Sequence, residues 1–350
     1  MKTKTLLIAL TIVILGVMAG TRSHSLSAQP AKMTDPPKES EVEMTLVEKG
    51  TTYKLYQGGM WRVNSSLGKW EFVEQIYDLE FYTKNCVERE GKIYRKADKG
   101  ELIPVKRRFT DDFENTKTFR DLFDLRRWTE CELLSPKAPT VKDYVKLRQR
   151  LMKGENEFLD NRIEPTTEKV HAGKNALKFV SVSPTPEMIC AKASLTSEML
   201  HFVKGDDVWI SLWCYVPKGS GVPFTVMDLE TTWMKQHPGI RLVISGGKHV
   251  CFQLKWNRVF YGQAKGKEVA FPLDQWVHLK AHLKLTEKDD GVIELWQDGT
   301  KIIDARGQTL ILAKMIYNSF EIGITAHDDR SKSAILYVDD VSISDQPIKK

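Results

Sequence analysis

Apolar and polar residues alternate one by one from Trp276 to Leu285, the most regular stretch of the chain. Val277, Leu279, Ala281, Leu283 and Leu285 fall on one side, and His278, Lys280, His282 and Lys284 on the other. A period of two over this length specifies a half-buried antiparallel strand. Ser319–His327 repeats the pattern with Phe320, Ile322 and Ile324 inward, and Gly291–Gln297 and Ala334–Ser344 complete a run of four strands. The polar turn Thr286–Asp290 joins the first pair. Asp298-Gly299 closes off the second, as a dipeptide that tolerates positive φ at both central positions of a hairpin.

Upstream, strands are predicted at Gly173–Phe179, Ile189–Leu195, Val208–Val216, Phe224–Glu230, Ile240–Ile244 and His249–Trp256. Short strands separated by glycine and proline turns predict an all-β, two-sheet jelly-roll sandwich, here spanning 108–346 and opening at Phe109–Glu114. One short helical insertion is expected within Pro136–Asp160. Thr140 can cap it with Asp143 at the capping-box position, and Val141, Tyr144, Val145 and Leu151 give a partial apolar face. Residues 46–107 carry the short aromatic segments Tyr53–Tyr56, Trp61–Val63, Trp70–Val73, Leu79–Tyr82 and Lys92–Tyr94, which read as a small β-rich module of hairpins.

The N-terminus changes the compartment. Lys2 and Lys4 precede an apolar run, Leu6 to Met18, which is too short for a span of about 20 residues and suits a secretory signal. Cleavage is expected after Ala28, giving a signal over 1–28, with Ala19 and an uncleaved anchor as alternatives. A disordered Pro/Ser/Lys/Glu linker follows over 29–45. The mature chain is then secreted, periplasmic or held in the cell envelope, with no membrane span after cleavage, and is expected to be a monomer. The formal charge of +6 includes Lys2, Lys4 and Arg22, which leave with the signal. The remainder is too mild to imply nucleic acid, and suits an acidic polymer at most. Cys86, Cys131, Cys190, Cys214 and Cys251 show no zinc spacing. Their odd number leaves at least one unpaired, and one or two disulfides are permitted outside the cytosol.

The alternating Trp276 strand, the Gly291–Gly299 run ending in Trp296-Gln297-Asp298-Gly299, the glycine-bearing Ser319–His327 strand and the closing Asp339-Asp340 strand together resemble the concanavalin-like jelly rolls of the heparin-lyase and alginate-lyase type. The resemblance extends from Arg108 to Asp345. It implies a carbohydrate partner and a polysaccharide lying across the concave sheet. Alginate-lyase-like members carry R-x-E-L-R, Q-I/V-H and Y-x-K-x-G-x-Y strands, whose nearest matches here are Lys192–Thr196, Asp228–Glu230 and Ser319–Thr325. Lysine stands for the first arginine, two carboxylates replace the Gln/His pair, and the lysine and tyrosines of the last motif are absent.

Strand alternation supplies a candidate lining. Asp228 and Glu230 share one face of their strand, Arg241 stands out between Ile240 and Leu242, and His249, Gln253 and Lys255 oppose Val250, Phe252 and Leu254. Paired strands would gather these six into one polar field, or into a solvated face of scattered ion pairs. A lyase must neutralise the uronate carboxylate, remove the C5 proton and protonate the leaving oxygen. Arg241, Gln253 or Lys255 can neutralise, and His249 or His327 can act as base near neutral pH. Asp228 and Glu230 also match the last two acids of the laminarinase-like E-x-D-x-E pattern (which can carry one further residue before its last acid), with Val226 where its nucleophile would stand.

Trp209, Trp213 and Tyr215 share a strand face; such aromatic residues can stack on sugar rings, but that spacing more often belongs to the core between the sheets, which is the expectation here. Trp233, in the loop Thr231–Gly239, is the better candidate for stacking on a sugar. No cofactor is required. Asp328-Asp329 and Asp339-Asp340 offer oxygens to Ca2+, though adjacent acids alone specify no site. The leading reading is a glycan-binding protein without turnover; the alternative is a lyase acting on an acidic polysaccharide by β-elimination, and behind it a glycoside hydrolase or non-enzymatic envelope protein.

Overall fold

The computed structural model describes residues 38–48, 51–64, 66, 68–75, 86–96, 100–124, 126–155, 157–234 and 237–348. The expected signal over 1–28, most of the expected linker and the Leu79–Tyr82 segment lie outside the described residues. The chain divides into two compact units, one of Met1–Pro104 with Thr232–Pro238, the other of Val105–Thr231 with Gly239–Lys350.

The first unit holds an antiparallel sheet of β1 (Met44–Glu48), β2 (Thr51–Tyr56), β3 (Gly59–Asn64) and β4 (Lys69–Gln75). Met44 and Thr45, expected in the linker, pair with Leu55 and Lys54 instead. A second sheet joins β5 (Cys86–Arg89), β6 (Lys92–Lys96) and β7 (Leu102–Pro104). Leu55, Met60, Trp61 and Trp70 are buried, so the hairpin pattern of aromatic residues does supply a small core.

The second unit is the sandwich. Its strands are β8 (Arg108–Asp111), β9 (Glu130–Glu132), β10 (Arg162–Thr166), β11 (Ala176–Ser181), β12 (Ala191–Ser197), β13 (Asp207–Tyr215), β14 (Phe224–Glu230) and β15 (Gly239–Ile244). They continue with β16 (Val250–Leu254), β17 (Phe260–Tyr261), β18 (Trp276–Lys284), β19 (Gly291–Gln297), β20 (Thr300–Gly307), β21 (Ser319–His327) and β22 (Ala334–Ser344). An 8-stranded sheet runs β10-β11-β22-β13-β18-β19-β20, with β8 also on β22, and a 7-stranded sheet runs β17-β16-β15-β14-β21-β12-β9. All the pairs are antiparallel. The all-β jelly-roll expectation therefore holds.

Apolar residues of both inner faces fill the space between the sheets. Ile210, Leu212, Val277, Leu279 and Leu295 come from one sheet; Leu229, Leu242, Phe252, Phe320 and Ile322 come from the other, all essentially inaccessible. Gly323 has φ +108, and a Cβ there would lie 2.5 Å from the Phe179 ring and 2.8 Å from the Ala193 carbonyl, so only glycine lets β21 pass. Register shifts interrupt β14–β21 between Thr225 and Met227 and β12–β21 between Ala191 and Ala193, close to the polar cluster described below.

The helix α1 (Val141–Met152) starts at Thr140, whose hydroxyl accepts from the Asp143 amide while the Asp143 carboxylate accepts from the Thr140 amide. Its buried positions are Tyr144, Leu147 and Leu151 rather than Val141 and Val145. Asp298 and Gly299 both have positive φ and turn β19 into β20, a strand absent from the sequence reading. All five cysteines carry free thiols. Among the described residues no helix is long and apolar enough to cross a membrane.

The expected core placement of Trp209, Trp213 and Tyr215 is corrected. They sit on the outer face of the 8-stranded sheet, opposite His282, His278 and Trp276 in register. Trp209 stacks on His282 at 4.1 Å and Trp213 on His171 at 3.6 Å. The physical reason is parity: Val208, Ile210, Leu212 and Cys214 take the inner face, leaving the aromatic residues outside.

Candidate functional site

Cross-strand neighbours in a sheet project to the same face, so register decides which polar residues meet. Thr196 lies opposite Glu321, Glu321 opposite Asp228, Asp228 opposite Arg241, and Arg241 opposite Gln253. One row of side chains thus crosses the outer face of the 7-stranded sheet. Glu230 and Lys255 lie beside it on β14 and just beyond β16. The strands matched to the three lyase motifs, β12, β14 and β21, are direct neighbours in the order β14-β21-β12.

At its centre lie three buried carboxyl groups, Asp228, Glu230 and Glu321, with one oxygen of each within 4.8 Å of the others. Asp228 is 1% exposed; its Oδ1 accepts from Arg241 Nε at 2.9 Å and its Oδ2 from the Thr325 hydroxyl at 2.6 Å. Lys255 Nζ donates to Glu230 Oε1. The Ser194 hydroxyl donates to Glu321 Oε1, and Lys192 Nζ lies 3.8 Å from that oxygen and 2.7 Å from Glu132. Beyond Glu132, Arg148 of α1 pairs with Glu130 of β9 at 2.9 Å.

Four carboxyl groups (Asp228, Glu230, Glu321 and Glu132) therefore face three cations (Arg241, Lys255 and Lys192). Burial and the neighbouring acids push the pKa of Glu321 up to about 8, against the opposing pull of Lys192. Burial also raises Glu230, and Lys255 offsets this only in part. Burial would lower Lys192, but Glu132 and Glu321 outweigh it and raise its pKa. Arg241 is likewise held charged by Asp228 and Glu230 despite its burial. Burial thus favours the protonated form of Glu321 near neutral pH. The cations are the part solvent reaches, with side-chain exposures of 15% for Lys255, 20% for Lys192 and 25% for Arg241.

Of the residues proposed from sequence, Arg241, Asp228, Glu230, Gln253 and Lys255 come together. His249 does not. It sits in the turn between β15 and β16, where the Ser245 amide donates to its carbonyl and its own amide donates to Ser245 Oγ. Ser245 lies four residues beyond Arg241, about 14 Å at roughly 3.4 Å per residue. His327, at the end of β21, is 0% exposed; burial lowers its pKa, opposed by Asp329 and the backbone of Val182 and Lys332. Trp233 is half-buried in the segment Thr232–Pro238, which belongs to the first unit. The acids Asp328-Asp329 turn back on their own loop, where Asp329 accepts from Ser331. Asp339 and Asp340 meet His171 on the other sheet, where Asp339 accepts from the His171 and Ala172 amides and Asp340 meets His171 Nδ1 at 2.8 Å.

Glu321, Lys192, Ser194 and Thr325 were not singled out individually from sequence. Each lies in a strand matched to a lyase motif, and Glu321 occupies the outward position between Phe320 and Ile322. That parity was the available signal; the register that sets it beside Asp228 was not.

Several solved structures align with this chain at low identity. A "cellulose induced protein, Cip1" aligns at 16% identity over 69% of this chain and 99% of its own, with a TM-score of 0.47. An endo-β-1,4-glucuronan lyase from the fungus Trichoderma reesei aligns at 9% identity over 68% and 95%, with a TM-score of 0.46. The alginate lyase Aly36B aligns at 9% identity over 70% and 100%, with a TM-score of 0.44. No curated protein sequence matches this chain. The family model described as polysaccharide lyase matches residues 142–342, from α1 to β22, and the chain belongs to that family.

Proposed function

We propose that the protein is an exported polysaccharide lyase that cleaves a uronate-containing polymer by β-elimination at the β12-β21-β14-β15 row. The observation that carries the reading is Glu321, a buried carboxyl with pKa pushed up to about 8, flanked by Lys192 on β12 and opposite the Arg241-paired Asp228 on β14, within the family match. A group with its pKa near working pH transfers protons efficiently in both directions. Arg241, with Lys192 and Lys255, receives the uronate carboxylate and stabilises the charge that develops as the C5 proton leaves. Ionised Glu321 takes that proton and returns it to the glycosidic oxygen. The C5–H and C4–O bonds break, the C4=C5 double bond forms, and the proton ends on the leaving hydroxyl. Asp228 and Glu230 position Arg241 and Lys255, and Gln253 lines the path. The base role suggested for His249 or His327 passes to Glu321, because neither histidine stands in the row.

The reading predicts an ultraviolet-absorbing unsaturated uronate from at least one acidic polysaccharide, lost in Glu321→Gln. A wild-type protein that is retained on such a polymer but leaves it intact would instead be a glycan-binding protein. One observation supports a hydrolase as second reading: Asp228 and Glu321 are directly opposed carboxyls, close to the separation of roughly 5 Å found in retaining glycosidases. New reducing ends without ultraviolet absorbance would select it.

A further inference from the structure

The row of side chains does not end at Gln253. Its register partner on the edge strand β17 is Phe260. The neighbouring pair fixes which way Phe260 points. Tyr261 lies opposite Phe252, which is fully buried in the core, and the Tyr261 hydroxyl occupies the place a Cβ on Gly307 of the other sheet would take. Tyr261 therefore points into the sandwich and Phe260 onto the polar face. Phe260 is 57% exposed, more than any other phenylalanine or tryptophan among the described residues. A single exposed ring is unremarkable by itself; one at the end of a polar row, in register with a candidate site, is not placed at random.

We infer that Phe260 forms a distal sugar-binding subsite, stacking a pyranose ring of the same acidic polymer two units from the one held at Arg241. The inference rests on the lyase reading above. Phe260 stands two strands from Arg241, about 10 Å at the usual strand spacing. A pyranose in an extended chain repeats at nearly that strand spacing, so a polymer lying across the strands presents one ring per strand. The C–H face of the ring is apolar, and an aromatic side chain removes it from water. Gln253, between the two, faces the intervening unit with an amide that can both donate and accept. Polymer direction, perpendicular to the strands, follows from the same row.

The test uses the full chain and its Phe260→Ala and Phe260→Trp variants, with sodium polyglucuronate, sodium polymannuronate, and their tetramers and dimers as probes. Affinity is read by calorimetry and turnover by ultraviolet absorbance. The expected result is a weakening of KM or Kd of roughly tenfold for polymer and tetramer in Phe260→Ala. Values of kcat and dimer binding should stay unchanged, and Phe260→Trp should retain wild-type affinity. An exposed ring leaves the fold intact when removed, and thermal unfolding checks this. Wild-type affinity in Phe260→Ala, or an equal loss for dimer and tetramer, overturns the subsite while leaving the lyase reading in place. A wild-type protein that neither binds nor cleaves any of the probes overturns that reading, and the subsite with it.

Discussion

Removing the Arg241 guanidinium by Arg241→Met tests whether the cluster is a set of buried, mutually dependent charges or a rim of solvated ion pairs. Asp228 is 1% exposed and has two polar partners, Arg241 Nε at 2.9 Å and the Thr325 hydroxyl at 2.6 Å. Without Arg241 a dehydrated carboxylate is left with one neutral donor, a change that costs about 3–5 kcal/mol. The partner change, Asp228→Asn, keeps an acceptor for Thr325 and leaves a guanidinium that water already reaches, so about 1–2 kcal/mol is expected. The double variant should then be destabilised by less than the sum, with a coupling of about 2 kcal/mol. In a domain of this size each kcal/mol moves Tm by roughly 2–4 °C, so Arg241→Met should fall by about 10 °C. Urea and thermal unfolding of the four proteins complete the cycle. If Arg241→Met loses less than about 1 kcal/mol, or the two changes simply add, the pair behaves as an exposed salt bridge. The argument that the cluster is desolvated would then fail, and with it the physical basis for the shifted Glu321.

Three further outcomes follow from named contacts. Because the Glu321 pKa is raised in the folded chain, its proton stabilises that state fully below the ordinary carboxylate value of 4.5, and this is lost as pH climbs toward about 8. Urea midpoints of the wild type should decline over that window relative to Glu321→Gln, while turnover rises through about pH 8. Gly323→Ala, at φ +108 and facing Phe179, should cost about 2–4 kcal/mol by chemical denaturation, with β21 displaced and activity lost together. On the opposite sheet, His282 lies between Asp207 Oδ1 at 2.8 Å and Glu294 Oε2 at 2.7 Å. Burial raises both acids, but hydrogen bonds from Lys284, Lys301 and His282 prevail and hold them below their usual range. Depressed carboxylates stabilise above their unfolded pKa and lose that contribution as pH falls. His282→Leu should therefore move the acid-unfolding midpoint to higher pH, read by circular dichroism.

The sandwich was legible wherever one strand carried its own pattern. The alternation from Trp276 to Leu285 and the Thr140/Asp143 pair returned β18 and the start of α1 within a residue. The strand β20 was missed because Ile302 and Ile303 are adjacent and a register shift at Leu295/Trp296 breaks its phase against β19. Trp209 and Trp213 were misplaced by weighing aromatic frequency above parity, although Val208, Ile210 and Leu212 already claimed the inner face. The site itself was half legible. Alternation exposed Asp228, Arg241 and Gln253 as outward residues on three separate strands, with Lys255 two residues beyond Gln253. Glu321 entered only when non-local pairing set β21 between β14 and β12, and no local pattern encodes that order. His249 was drawn in because a turn was read as a strand continuing to it.

The 7-stranded sheet has brief ends, two residues at β17 and three at β9, around much longer central strands. A sheet with one open face brings with it two unpaired rims of backbone amides and carbonyls, the template on which β-proteins stick to one another. Here each rim is too short to seed a foreign strand, and the Arg148–Glu130 pair sets a helix against the β9 side. Lengthening β17 by a few alternating residues would leave the row of side chains untouched while giving the molecule an adhesive margin. Resistance to edge-to-edge pairing is thus written into the sheet's narrow borders, separate from whatever its surface holds.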